Sequence, residues 1–244
     1  MTDAPLLPAG VGTSRLRAYP WATEDNLHGG SPHMHLTCTE CYMVLSGRGE
    51  LHTLTSEGLR RVPLEAGDAV WFTPGTIHRA VNIDSLEVQV IMQNDGLPEA
   101  GDAVMTLPEE HLTTPEAYAA AVSLGDGSPE ERRERARARR DVAISGFRQL
   151  ADDVENGRGE ALQRFYRTAT ELVTGRLDTW ETAWRAKALK AAETTGEQIA
   201  ALRRGDFAHL NEAKVAKVPA PPQDVLGMCG FLAPYPRDRA DTRI

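Results

Sequence analysis

The stretch SPHMHLTCTECYMVLSG, residues 31–47, places two histidines and a glutamate close together in a segment with an extended pattern. His33 and His35 are separated by one residue, and Glu40 follows after four more. In a β-strand, alternate side chains point to the same face, so His33 and His35 share a face, and a small irregularity can bring Glu40 to it. Because imidazole and carboxylate groups bind metals, the spacing predicts part of a metal site.

A third imidazole is available in a second stretch, GDAVWFTPGTIHRAVN, residues 67–82. A glycine turn after a predicted strand delivers His78 to the start of the next strand. Three imidazoles and one carboxylate suit one divalent first-row ion such as Fe, Mn, Ni, Co or Zn, and they leave room for water or substrate. The identity of the ion stays open, because the ligands alone do not choose it.

The region around these two stretches has the pattern of an all-β structure. Residues 36–95 contain short segments rich in branched and aromatic side chains, separated by turns that carry glycine. Many short strands at close spacing are typical of a sandwich or a barrel. Tyr42, Trp71 and Phe72 lie on predicted strands, and we interpret them as candidate substrate-binding residues, although the register that decides which of them face inward is open.

Helical patterning replaces the strand pattern beyond residue 112. SPEE, residues 128–131, predicts a helix start with a capping box, and two further helices are expected at about 160–174 and 178–204. Arginines at positions 133, 137 and 140 form a stripe on the first of these helices. We interpret the stripe as a solvated, salt-bridged face, with anion binding as the alternative.

The two histidine-bearing stretches make the chain similar to the cupin superfamily over roughly residues 15–96. The residues that fall in register with the first cupin motif are His33, His35, Glu40 and Gly47, and those in register with the second are Gly67, Gly75, His78 and Asn82. The chain departs from the motifs at Leu27, where a glycine is usual, and at Thr73, where a proline is usual and Pro74 follows instead. These departures affect turns, whereas the candidate ligands are all present.

The resemblance implies a mainly β protein with α-helices. We expect a double-stranded β-helix, a jelly-roll-like barrel, over residues 1–112, with a helical extension over 113–218. It also implies that the metal ligands inside the barrel are His33, His35, Glu40 and His78. The tail, residues 219–244, is punctuated by prolines, and we expect its apolar part, residues 225–232, to be buried against the barrel or a partner subunit.

Two other interpretations of the same stretches stay open. The four candidate ligands could be relics in a barrel that binds no metal. Cys38 and Cys41 form a CxxC pair, which could indicate a zinc knuckle or a redox pair. The chain has no second CxxC, since Cys229 stands alone, and positions three apart on a regular strand face opposite sides. Packed or partly exposed thiols are therefore favoured.

Composition and charge exclude several classes of function. The chain has 244 residues and a net charge of −8, and residues 1–112 hold 15 acidic and 6 basic side chains. This imbalance speaks against a nucleic-acid partner, which requires clustered basic residues. None of the four lysines lies in a P-loop pattern. No apolar run approaches a membrane span, no signal peptide is recognised at the start, and three cysteines suit a reducing compartment, so we expect a cytoplasmic protein without a membrane partner.

These features together predict a metal-dependent enzyme that acts on a small polar metabolite. A dioxygenase-like oxidoreductase is favoured, because the resemblance makes the full four-ligand set common among such relatives. The alternatives are a redox-neutral sugar or hydroxy-acid isomerase or lyase, with the metal as Lewis acid, and a non-catalytic cupin that binds a small ligand. The resemblance also implies a homo-oligomer, with a dimer favoured.

Overall fold

A computed structural model describes residues 4–221, 224–236, 238, 240 and 241 of the chain. Its strands pair antiparallel, in the order β4-β3-β6-β1-β9-β8, with β2 on β6 and β7, and with β5 on β3. The strands are, in chain order, β1 (Gly12–Ala18), β2 (His33–His35), β3 (Glu40–Thr55), β4 (Gly58–Glu65), β5 (Ala69–Phe72), β6 (Ile77–Met92), β7 (Ala103–Met105), β8 (Val225–Leu226) and β9 (Gly230–Pro234).

Two long strands, β3 and β6, build both layers of the barrel. Each has 16 residues, and they pair along their length with irregularities in register between Val44 and Ser46 and between Arg48 and Gly49. The first half of β3 pairs with β5 and its second half with β4, while the first half of β6 pairs with β2 and its second half with β1. Each long strand therefore passes from one layer to the other.

Gly47 lies at this bend and requires the absence of a side chain. Its φ is +75°, and an added Cβ would lie 2.3 Å from the carbonyl oxygen of Asp84. Both conditions favour glycine, because other residues rarely adopt this conformation and the backbone of β6 fills the space. The glycine that ends the first motif therefore permits the close approach of β3 and β6.

The barrel core follows from the alternation of side chains along the strands. On β6, Leu86, Val88 and Val90 are buried, while Glu87 and Gln89 between them are only partly covered. This period of two is what one packed face of a strand requires. The predicted class, a β-barrel followed by a helical region, is confirmed.

The helical region packs on the barrel through one continuous hydrophobic cluster, to which both contribute buried side chains. The α-helices are α1 (Pro115–Val122), α2 (Pro129–Glu155), α3 (Glu160–Val173), α4 (Leu177–Trp184) and α5 (Lys190–Arg203). The capping box predicted at Ser128 is present, with Glu131 bonded back to the Ser128 amide. The third predicted helix divides into α4 and α5, with a π-helical turn, Arg185–Leu189, between them.

Helix α2 contacts the barrel closely at one glycine. An added Cβ at Gly146 would lie 2.1 Å from the carbonyl oxygen of Thr106, just after β7. One turn earlier in α2, the carbonyl oxygen of Ala143 accepts a hydrogen bond from Thr106 Oγ1 at 2.9 Å. The small side chains on this face of α2 therefore allow the helix to lie directly against the barrel wall.

The arginine stripe of α2 is not uniformly solvated. Arg140 is 1% exposed and donates to the carbonyl oxygens of Trp21 and Ala22 at 3.1 and 2.7 Å. Arg137 lies over the Trp21 ring, 4.8 Å from its centroid. The prediction of a solvated face is therefore wrong for Arg140, because the segment before β2 packs on this part of α2 and covers the guanidinium, although Arg140 does form an ion pair, with Asp141 at 2.8 Å.

The tail returns to the barrel as an edge strand. Strand β9 pairs antiparallel with β1, with Leu232 opposite Leu16, and β8 pairs with β9. Cys229 and Ala233 are buried, whereas Val225, at the start of the segment, is 53% exposed. Burial of the tail on the barrel thus begins after Val225. No helix among the described residues is long and apolar enough to cross a membrane.

Candidate metal centre

The structure brings four candidate ligands together in the barrel interior. Ligand atoms of His33, His35, Glu40 and His78 all lie within 4.8 Å of one another, and all four residues are buried. The two histidines of β2 flank Met34 and share a face, and β2 pairs with β6 so that His33 lies opposite His78. Glu40 begins β3, in the other layer of the barrel. The cluster is therefore assembled from three strands.

Each histidine is oriented by a hydrogen bond from its Nδ1. His33 Nδ1 lies 3.0 Å from the carbonyl oxygen of Ser31, and His78 Nδ1 lies 3.1 Å from that of Thr76. His35 Nδ1 lies 3.1 Å from a carboxylate oxygen of Asp102. Because these partners only accept, each Nδ1 carries the proton and donates. In the neutral ring, each Nε2 is then left with a lone pair available to the centre of the cluster, as metal ligation requires.

Glu40 adds a negative charge at the same centre. One of its oxygens, Oε2, lies 3.1 Å from His35 Nε2 and 3.1 Å from His78 Nε2. As long as all three rings are neutral, Glu40 Oε2 and His78 Nε2 are buried without a hydrogen-bond partner in the described structure. Two acceptors that face each other in a buried site need a cation or a proton between them. The donor set, three imidazole nitrogens and one carboxylate, therefore fits a divalent first-row metal ion.

Burial and the neighbouring charges determine the pKa values of the cluster residues. Burial and the neighbouring His35 lower the pKa of His33 to about 4, so that His33 is neutral. Burial alone would lower the pKa of His35, but hydrogen bonds to Asp102 and Glu40 outweigh it and raise this pKa to about 10. Although burial opposes it, the His35 and His78 rings beside the carboxylate hold the pKa of Glu40 well below its usual range. In the metal-free protein His35 is therefore protonated, and its positive charge balances the negative charge of Glu40.

Asp102 is a site residue that the sequence analysis missed. It is fully buried, and besides His35 it accepts hydrogen bonds from the Thr37 amide and the Thr37 hydroxyl, at 2.8 and 2.7 Å. A carboxylate that is held in this way fixes the ring orientation of a ligating histidine. Asp102 directly precedes β7, far from both motifs, and its spacing in the sequence carries no signal of this contact.

A cavity of about 310 Å³ lies beside the cluster. His33, His35 and Glu40 form one wall, and apolar side chains of β1 and β6 form another. Further lining comes from outside the barrel motifs, from the segment 98–103, from Arg139 on α2 and from the tail around Cys229. The cavity is large enough for a small metabolite next to the cluster, and the tail helps to enclose it.

The three candidate substrate-binding residues have different positions. Phe72 packs against the cluster, with its ring centroid 4.1 Å from that of His78. Tyr42 is fully buried, and its hydroxyl donates to Cys229 Sγ at 3.6 Å. Trp71 is 68% exposed. In the register, Phe72 lies opposite Glu40 and Trp71 lies opposite Cys41, so Trp71 is on the other face of the sheet from Glu40. The structure therefore does not bring Trp71 to the cluster.

The cysteines are free thiols, and none belongs to the four-residue cluster. Cys38 is buried and Cys41 is partly exposed, so the CxxC pair forms no disulfide in this structure. Burial and the nearby Asp102 raise the pKa of the Cys38 thiol well above its usual range, which disfavours the reactive thiolate. Cys229 lies 3.8 Å from His33 Nε2 and reaches the site from the tail.

Comparison with known proteins identifies one family. The model of the cupin domain family matches residues 26–93. No curated protein matches the chain significantly. Among solved structures, an oxalate oxidase is 24% identical, with 34% of this chain and 40% of that chain covered and a TM-score of 0.28. A conserved protein with a double-stranded β-helix domain from Klebsiella pneumoniae is 20% identical, with 38% and 70% covered and a TM-score of 0.29.

A third similar structure is that of KdgF from Halomonas sp., at 19% identity, with 36% of this chain and 72% of that chain covered and a TM-score of 0.28. The matched part spans less than two thirds of the oxalate oxidase chain. Identities below 25% and TM-scores below 0.5 assign no activity to this chain. The matched residues, 26–93, include His33, His35, Glu40 and His78 but not Asp102 or Arg139.

Proposed function

We propose that the chain, in which residues 26–93 match the cupin domain model, is a metal-dependent enzyme that acts on a small polar metabolite. We propose further that His33, His35, Glu40 and His78 hold one divalent first-row ion. The observation that carries the proposal is the arrangement of the three imidazoles: every Nδ1 is bonded to an acceptor, and the ligand atoms converge within 4.8 Å. A purely structural cluster has no need to place His78 Nε2, an acceptor, 3.1 Å from the buried Glu40 carboxylate.

The chain's own residues prepare this site for chemistry. Asp102 holds the His35 ring, and the backbone carbonyls of Ser31 and Thr76 hold the other two. Phe72 and the apolar cavity wall exclude water from one side, which strengthens electrostatic interactions within the site. A bound ion would supply Lewis acidity and, if it were iron, electron transfer to dioxygen.

We favour a dioxygenase-like oxidoreductase. If His33, His35, Glu40 and His78 held an ion, they would leave room on it for substrate and dioxygen, or for a bidentate substrate. The cavity of about 310 Å³ beside His33, His35 and Glu40 offers space for both. Its apolar walls and its cover by the tail suit chemistry that must be shielded from bulk water.

A redox-neutral isomerase or lyase is the second candidate, in which a bound ion would act as a Lewis acid on a substrate carbonyl. The Tyr42 hydroxyl is buried and donates to Cys229 Sγ at 3.6 Å, and Tyr42 is not among the residues that line the cavity. A non-catalytic, ligand-binding cupin is the third candidate.

Metal loading followed by an oxygen measurement separates the three candidates. The protein is stripped with a chelator, reloaded separately with Fe²⁺, Mn²⁺, Co²⁺ or Zn²⁺, and incubated with small hydroxy acids, oxo acids and sugars. Oxygen uptake that requires both Fe²⁺ and substrate is the expected result. Turnover without oxygen uptake favours the redox-neutral reaction, and binding without turnover favours the third candidate.

A pair of histidine variants links any turnover to the cluster. His33→Ala removes one proposed ligand and is expected to abolish the metal-dependent activity, whereas His28→Ala, at an exposed position five residues earlier, is expected to retain it. Equal activity of the two variants would show that the reaction takes place elsewhere.

Location and assembly are also proposals. We propose a cytoplasmic protein, on the sparse, unpaired cysteines. We propose a homodimer that uses the outer barrel face, because Met43, Leu45 and Trp71 are 40%, 48% and 68% exposed there. Light scattering of the purified protein at micromolar concentration is expected to give twice the mass of the chain, and Trp71→Ser is expected to shift the equilibrium toward monomer.

A further inference from the structure

Arg139 places a positive charge in the wall of the cavity beside the candidate metal centre. It lies on α2, outside the cupin domain, and lines the same cavity as His33, His35 and Glu40. Nη1 donates to the carbonyl oxygen of Val122 at 2.9 Å, and Nη2 donates to that of Gly227 at 3.0 Å. These two bonds fix the guanidinium between the end of α1 and the tail.

The charge of Arg139 has no carboxylate partner in the part of the chain that the structure describes. Its partners are two neutral carbonyls, and its Nε is buried without a hydrogen-bond partner. Glu99 lines the same cavity, but it is exposed at the rim and makes no ion pair with Arg139. A partly buried guanidinium whose Nε is shut off from water and which is left without an anion is unfavourable, so the position is explained if an anion occupies it during function.

Three other arginines of α2 have partners that Arg139 lacks. Arg140, the next residue, is paired with Asp141 at 2.8 Å, and Arg133 lies 3.5 Å from Glu130. Arg137 lies over the Trp21 ring. Arg139 alone among these four both lines the cavity and lacks an acidic or aromatic partner.

We propose that Arg139 is a substrate-binding residue and that the substrate is a small carboxylate, held by Arg139 at one end and by the metal ion at the other. The proposal deepens the proposed function and rests on it for the metal ion. A single planar guanidinium in a cavity of about 310 Å³ with apolar walls suits a carboxylate, whereas a phosphate group usually meets several donors or cations. The same residue ties substrate binding to the tail, because it also holds the carbonyl of Gly227.

The test measures binding of small carboxylates and of their neutral amides to the metal-loaded, full-length protein. The probe pairs are acetate and acetamide, glycolate and glycolamide, lactate and lactamide, and pyruvate and pyruvamide. Titrations follow the visible spectrum of the Co²⁺-loaded protein. Each amide keeps the shape of its acid but lacks the charge, so the ratio of the two affinities reports the contribution of charge.

Arg139→Gln is expected to lower the carboxylate-to-amide affinity ratio by about 10–100-fold, since hydrogen bonds between charged groups contribute in this range. Arg139→Lys is expected to retain part of the ratio. Arg137→Gln, two residues away on the same helix but outside the cavity lining, is expected to leave the ratio unchanged. The metal itself contributes to carboxylate preference in every variant, so only the change between variants is interpreted.

The outcomes distinguish failure of this proposal from failure of the proposed function. If Co²⁺ does not bind to the cluster, the metal-dependent function is wrong. If Co²⁺ binds but Arg139→Gln keeps the wild-type ratio, or if no carboxylate binds more tightly than its amide, the role of Arg139 is wrong. If Arg139→Gln does not fold, an unchanged ratio in Arg139→Lys overturns the proposal, and a reduced ratio supports it.

Discussion

The barrel and the segments that surround it contribute to the same site in different ways. The barrel supplies the proposed ligands from β2, β3 and β6, which all lie within residues 33–92. The surrounding segments supply Asp102, Arg139 and Cys229, which contact the ligands or line the cavity. The barrel thus supplies the proposed ligands, while the later segments orient His35 and shape the cavity beside the cluster.

The largest expected effect is a loss of metal affinity when one of the ligands proposed in the barrel is removed. His78→Ala removes the proposed ligand contributed by β6, and metal affinity is expected to fall by more than about 100-fold, beyond the range seen when only a supporting residue is lost. Affinity is measured by competition with a chelator. His28→Ala, at an exposed position, serves as the control, and an equal affinity of both variants would contradict the proposed ligand set.

The pH dependence of metal binding is expected to be nearly as large. Because the pKa of His35 is raised to about 10 in the metal-free protein, a metal ion must displace this proton at neutral pH. Apparent affinity should therefore rise by about tenfold per pH unit as the pH increases toward 10, with about one proton released per ion. Calorimetry in buffers of different ionisation enthalpy measures the released proton. A pH-independent affinity between pH 6.5 and 8.5 would speak against this ionisation state.

Asp102→Asn tests the contribution of the surrounding segments. An amide that replaces the carboxylate keeps the size of the side chain but weakens its hold on His35, and metal affinity is expected to fall by about 10–100-fold. Asp95→Asn is the matched control, because Asp95 pairs with Lys187 on the surface, at 2.6 Å. If both variants bind metal as tightly as the wild type, Asp102 is a packing residue only.

The smallest expected effect concerns the docking of α2 on the barrel. Gly146→Ala places a methyl group 2.1 Å from the Thr106 carbonyl oxygen, and the free energy of unfolding is expected to fall by about 1–3 kcal/mol. Gly196→Ala, in α5 with nothing within 4 Å of the added Cβ, is expected to stabilise by about 0.5–1 kcal/mol. Chemical denaturation of both variants measures the difference. Equal effects would mean that α2 does not lie tightly against the barrel.

The barrel and the surrounding segments also differ in how many of their site residues could be predicted from the sequence. His33, His35, Glu40 and His78 carry a local signal, because strand alternation and turn spacing are encoded within a few residues. The start of α2 at Ser128 carries one as well, through its capping box. Asp102 and Cys229 have no such signal, since their contacts depend on how distant segments fold back on the barrel.

The face of the sheet on which each aromatic side chain lies could not be predicted from the sequence either. Tyr42, Trp71 and Phe72 are all aromatic residues on strands, and only the register separates Phe72, which packs on His78, from Trp71, which faces outward. A shift of one residue would reverse these positions, so composition alone could not decide. The same holds for Arg139 and Arg140, which are adjacent in α2 but meet different surroundings.

X-ray absorption at the zinc edge of the Zn²⁺-loaded, full-length protein tests the central claim most directly. The account predicts one ion per chain, nitrogen and oxygen neighbours at about 2.0–2.1 Å, and outer-shell scattering from three imidazole rings. In His78→Ala the scattering should correspond to two rings. A sulfur neighbour at about 2.3 Å, or a spectrum without imidazole scattering, would contradict the account.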